Sequence, residues 1–157
     1  MRNCIWFIAF TFASSFTAIN VAIGQPQNIQ EGDVTPECST ALRTASGRIE
    51  KGRRVKVVSI TKYDFRQEYS DYPKDRPFSY GFVLDGTATG TVLQSGKFLT
   101  AISTEVINNC PNAGMVTFVE HYTDGFVTFG LVGKNSVRAF KCLNPGSKPS
   151  WGSTICI

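Results

Sequence analysis

Four cysteines downstream of a short apolar leader constrain this chain more than any other feature of its sequence. The leader covers residues 1 to 24. Arg2 and the amino terminus supply positive charge, Ile5 to Phe16 an apolar stretch, and Ala22-Ile23-Gly24 ahead of Gln25 puts small residues at the two positions a signal peptidase reads. A membrane anchor is the competing reading, because no charge falls between Arg2 and Glu31 and a spanning helix needs only about 20 apolar residues. Thr11, Ser14, Ser15, Thr17 and Asn20 dilute the run and favour cleavage, which discards Cys4 with the peptide. The expected location is secreted or periplasmic, where thiols pair.

Loss of the leader leaves 133 residues, a single-domain length that buries about two-thirds of its unfolded surface without help from metals. Cys38, Cys110, Cys142 and Cys156 remain, and three pairings are open to them. A link from Cys142 to Cys156 closes a short loop and stabilises by about 3 kcal/mol. One from Cys38 to a distal cysteine approaches about 4.7 kcal/mol in the chain-entropy model. A zinc site is excluded by spacing, since no two of the four lie two to four residues apart and the one histidine, His121, has no partner. Neither metal nor cofactor is expected.

Residues 25 to 37 are polar, proline-containing and aperiodic, and read as a flexible leader to a single domain over 38 to 157. Cys38 to Arg48 fits a short helix or a strand equally. Val55, Val57, Val58 and Ile60 mark a first strand over about 53 to 63, and Phe78, Tyr80, Phe82 and Leu84 a second, ended by Asp85-Gly86. Ser95 is the expected N-cap of a helix over about 96 to 109, with Phe98, Leu99, Ile102 and Val106 on one face and Pro111 as its stop. A meander follows: a strand through Val116, Phe118 and Tyr122, the turn Thr123-Asp124-Gly125, a strand over Phe126 to Val132, and another over Ser136 to Cys142. Trp151 to Ile157 can add a last short strand. The fold class is α+β, one main helix packed on an antiparallel sheet of five or six strands, stapled by disulfides.

From Gly90 onward, Val92-Leu93-Gln94-Ser95, Phe98-Leu99, Ile102-Ser103-Thr104, Ile107-Asn108-Asn109-Cys110-Pro111 and the ending Trp151-Gly152-Ser153-Thr154-Ile155-Cys156-Ile157 set a pattern. In it the stretch resembles short exported cyanobacterial proteins of unassigned function. The resemblance implies an exported bacterial domain with Cys110, Cys142 and Cys156 as framework positions, and it implies no activity. It does not reach the segment before Gly90.

That earlier segment carries the best binding signal. The whole chain has a net charge of +4, yet ten basic and five acidic residues fall between Arg43 and Arg76. Arg53, Arg54 and Lys56 flank the start of the first strand, and Arg66, Tyr69 and Tyr72 occupy the loop beyond it. Such cations meet phosphate, sulfate or carboxylate groups, while tyrosines stack on sugar rings or apolar partner surfaces. The bland reading is a solvated loop whose aromatics fold back over the core. Anionic polysaccharide, lipid headgroups or another envelope protein are the partners this composition suits, and nucleic acid is not expected for an exported chain. The alternative is a small extracellular hydrolase using His121 with Asp124, or a carboxylate pair drawn from Asp85, Glu105, Glu120 and Asp124. No G-x-S-x-G supports the first, and no recognisable context the second. Gly86, Gly90 and Gly96 lack the spacing of a phosphate loop and read as turns. The sequence therefore points to a binding or interaction module rather than an enzyme.

Overall fold

The computed structural model describes residues 27–29, 34–133 and 135–156, so the export segment read over 1 to 24 lies outside the described residues. Helix α1, Pro36–Glu50, resolves the ambiguity at Cys38 to Arg48. Thr35 has extended backbone, its hydroxyl oxygen accepts from the Cys38 N–H at 3.3 Å, and Pro36 opens the first turn. Cys38, Ala41, Leu42, Ala45 and Ile49 recur along one face and are buried. Small alanines on this stripe let the helix lie close to its neighbour.

Strand β2 (Lys56–Asp64) runs antiparallel to β3 (Phe78–Asp85). On the outer side of β2 lies β1, Gln27–Asn28, facing Thr61 and Lys62, so part of the segment read as a leader joins the sheet. After β3 the chain passes through α2 (Thr89–Leu93) and α3 (Gly96–Asn109) before returning as β4 (Ala113–Glu120). Here the structure departs from the expected antiparallel sheet, because β3 and β4 are parallel. The reason is mechanical: a helix of 14 residues carries the chain about 21 Å, back to the edge from which β3 started. β5 (Phe126–Val132) and β6 (Ser136–Ala139) complete the order β1-β2-β3-β4-β5-β6 by antiparallel pairing. Ser95 does precede α3, but its hydroxyl donates back to the Thr91 carbonyl at 2.8 Å instead of capping it.

Two helices rather than one cover the sheet. Leu42 and Ile49 from α1 and Leu99, Ile102 and Val106 from α3 bury themselves with Phe82, Leu84, Val116, Phe118 and Phe129. The Phe82 and Phe118 rings stack at 5.4 Å. A disulfide between Cys38 and Cys110 fastens the first turn of α1 to the end of α3, both cysteines being buried.

A second, smaller cluster covers part of the other face. Phe65, Tyr69, Met115 and Phe140 are buried there, with Tyr63, Tyr72, Val132 and Trp151 packed against them. Phe140 also explains why the strand expected over Ser136 to Cys142 is broken. Its N–H still bonds the Thr128 carbonyl at 2.8 Å while its ring lies over Gly130, beyond which the chain leaves the sheet. Lys141–Leu143 (β7) then pairs in parallel with Ser153–Ile155 (β8), and Cys142–Cys156 closes this ribbon. The α+β class and the disulfide staples hold, and the two bridges indicate an oxidising, non-cytoplasmic location. Among the described residues no helix is long and apolar enough to cross a membrane.

Candidate functional site

The basic segment separates into paired and unpaired cations. Arg48 forms an ion pair with Glu105. Arg66 bonds both oxygens of Asp64, at 3.0 and 2.9 Å from its Nε, and this hydrogen bonding holds the Asp64 carboxyl below its ordinary range. Arg76 donates to the Ile107 and Ala113 carbonyls, at 2.7 and 3.1 Å, which ties down the end of α3. Lys74 donates to the Ser70 carbonyl at 2.7 Å, and Lys62 sits over the Phe78 ring. Arg53 donates to the Arg48 and Ile49 carbonyls, at 2.8 and 3.2 Å, and covers the Phe98 ring at 4.5 Å. It serves as a cap for α1 as much as a surface charge.

Arg54 and Lys56 differ from these. Both are exposed, and among the described residues neither has a carboxylate partner; Lys51, on the same turn, shares that condition. The three stand where α1 gives way to β2, and the turn is anchored by the Ala88 N–H, which donates to the Arg54 carbonyl at 3.1 Å. Gly86 makes this approach feasible: with φ at +126°, it would bring a side-chain carbon within 2.4 Å of the Arg54 oxygen.

The tyrosines expected beside these cations lie elsewhere. Tyr69 is only 4% exposed and its hydroxyl donates to the Ser153 carbonyl at 3.1 Å, so it is a core residue and not a binding one. Burial pushes its phenol above the ordinary value. Tyr72 is half-buried with its ring edge-on to Phe65 at 5.5 Å. The cause is apolar area: Phe65, Tyr69 and Trp151 gain more by covering Met115 than by facing water. β2 thus carries free cations at its start and the aromatic cover at its end, roughly 26 Å away at the rise of an extended strand. Arg66, at that far end, is separated from Arg54 and Lys56 and neutralised by Asp64.

The other candidates gather near the cations. β3 and β4 end side by side, and the His121 N–H extends their ladder by donating to the Leu84 carbonyl at 2.7 Å. Its Nδ1 lies 3.9 Å from Asp85 Oδ2, outside hydrogen-bond reach, and has no partner. The carboxylate beside the histidine is therefore Asp85, not Asp124. Glu120 accepts from the Thr123 hydroxyl at 3.1 Å, and Glu105 is held by Arg48, so these acids do not converge in pairs. Asp85 in turn stands opposite Lys56 in the β2–β3 ladder. Tyr122, expected on the strand with Val116 and Phe118, instead lies in the turn beyond β4, is 89% exposed, has φ at +64° and rests against His121 with 3.6 Å between ring centres. No local signal reveals this, since the residues that mark a turn, Thr123-Asp124-Gly125, begin one position later. A bulky residue held there costs about 1–3 kcal/mol.

Three open grooves lie elsewhere. One of about 480 Å³ runs between Arg76, Thr104 and Asn108 and the β5–β6 turn. A second, about 320 Å³, passes the Cys38–Cys110 bridge, and a third, about 390 Å³, separates α1 from Glu105 and Asn109. None is lined by His121, Asp85 or the free cations. What the end of the sheet offers is an open strip of Lys56, Asp85, His121 and Tyr122 bordered by Arg54, suited to holding a ligand on a surface. No family model, curated protein or solved structure matches the chain.

Proposed function

We propose that this chain is exported, secreted or periplasmic after loss of residues 1 to 24, and acts as a non-catalytic binding module whose cationic turn engages anionic groups. The observation that carries the reading is the contrast among cations: Arg48, Arg66 and Arg76 are each satisfied by the fold, whereas Lys51, Arg54 and Lys56 stand exposed where α1 gives way to β2, with no carboxylate partner among the described residues. Unpaired surface cations contribute nothing to the core, and their summed field attracts anions over about a Debye length. The export reading favours extracellular anions over nucleic acid. The pair His121 and Asp85 also suits a hydrolase, but it lies on an open surface with a gap of 3.9 Å, which supports binding over catalysis.

The test is retention of the protein on an anionic polymer column under a salt gradient. Replacing Arg54 and Lys56 with Gln should lower the salt at elution, while Arg66→Gln, which removes a neutralised cation, should leave it nearly unchanged. Equal retention of wild type and R54Q/K56Q would reject the proposal.

A further inference from the structure

Tyr122 occupies a position that the fold does not require to be tyrosine. It sits in the loop between β4 and β5, where Glu120 N–H donates to the Gly125 carbonyl at 2.8 Å and closes the hairpin. Its positive φ is a conformation glycine adopts without strain, and among the described residues it alone combines that φ with a side chain. The ring contributes no core packing, being almost wholly exposed. One of its faces rests on the His121 imidazole, whose main chain is bonded to Leu84 and whose Nδ1 lies 3.9 Å from the Asp85 carboxylate. The result is a flat aromatic surface with one face on His121 and the other open.

The surroundings select among ligands. A protein hot spot uses an aromatic ring enclosed in a desolvated pocket. Tyr122 instead stands on a wet turn beside exposed Thr123 and Asp124, with the Asp85 carboxylate next to its supporting histidine and Lys56 one strand further. A sugar ring needs only one aromatic face for its C–H surface, hydrogen-bond acceptors for its hydroxyls, and, where it is acidic, a cation for its anionic substituent. Lys56 lies two strand spacings from His121, about 10 Å, within the span of a short oligosaccharide. We propose that this end of the sheet binds an acidic glycan, with a pyranose ring stacked on Tyr122, hydroxyls on Asp85, and a carboxylate or sulfate on Lys56 and Arg54. The assignment rests on the binding role of the cationic turn and names its ligand class.

The experiment compares binding of the exported protein to alginate, an acidic glycan, and to polyacrylate, an anionic polymer without sugar rings. Vesicles containing anionic phospholipid serve as a third probe. Y122G should weaken alginate binding about tenfold, the scale of one aromatic contact. It should leave polyacrylate binding unchanged and keep or raise the melting temperature, because glycine relieves the positive φ. Y122F should bind alginate like wild type. R54Q/K56Q should weaken both polymers. Alginate binding unaltered in Y122G overturns the sugar platform while leaving the cationic turn intact, and so does a lower melting temperature of Y122G, which would make the tyrosine structural. Tighter binding to vesicles than to alginate assigns the site to lipid and overturns the glycan. Wild type that binds neither polymer refutes the cationic reading and the glycan together.

Discussion

Gly130→Ala tests whether Phe140 locks the second cluster onto the sheet. A methyl group at position 130 would lie 2.3 and 2.5 Å from two Phe140 ring carbons, closer than such atoms approach. The ring cannot swing away freely, because Tyr69 at 6.1 Å and Trp151 at 5.1 Å meet it edge-on. If the ring shifts within the cluster, the loss is that of an overpacked core, about 1–3 kcal/mol. If it is expelled, the loss approaches the about 3–5 kcal/mol of deleting a buried phenylalanine. F140A alone should lose that larger amount, and adding Gly130→Ala to F140A should lose little more, since the clash has gone. Equilibrium urea unfolding of the wild type, both single variants and the double variant gives the coupling directly. A coupling energy of at least about 1 kcal/mol is expected. Additive losses, or a Gly130→Ala variant as stable as wild type, would refute the contact as the origin of the break between β6 and β7.

The two disulfides should differ in worth and in accessibility. Their loops of 72 and 14 residues correspond to about 4.4 and about 3 kcal/mol of chain entropy, so replacing Cys38 and Cys110 with Ala should lower stability more than replacing Cys142 and Cys156. Cys142 is exposed and Cys38 is 1% exposed, so limiting dithiothreitol followed by alkylation and mass analysis should open Cys142–Cys156 first; the reverse order would contradict the burial. Burial raises the phenols of Tyr69 and Tyr80 above their ordinary value of about 10. Their contribution is fully present below that value. Above it the unfolded chain releases protons that the folded chain retains, and stability falls until the folded phenols ionise, by at most about 1.4 kcal/mol per pH unit for each tyrosine. Urea midpoints between about pH 9 and pH 11.5 should fall in the wild type and fall less steeply in Y80F, and equal slopes would refute burial as the cause.

What the sequence made legible depended on the range of the signal. α3 begins and ends where its apolar period and Pro111 set it, and β5 matches the run from Phe126 to Val132, because those patterns are local. α1 stayed ambiguous since alternation and helical period overlap in Cys38 to Arg48, and only packing on α3 selects between them. The parallel pairing of β3 with β4 depends on where a crossover lands, which no window of residues contains. Arg54 and Lys56 were readable as cations; that Arg66 is neutralised and Tyr69 buried was not, because Met115, Phe140 and Trp151 come from distant parts of the chain. Tyr122 escaped because its interest lies in a backbone angle.

From Cys38 onward, each cysteine's native partner is its immediate neighbour in cysteine order, first with second and third with fourth. A polypeptide threaded through a translocon amino end first delivers Cys38 and Cys110 before Cys142 has emerged. Oxidation in order of arrival then yields the finished connectivity with no mispaired link to undo. For a chain exported as proposed, an oxidase alone would then suffice for maturation, and an isomerase would be needed only where Cys110 waited unpaired until the last two thiols appeared.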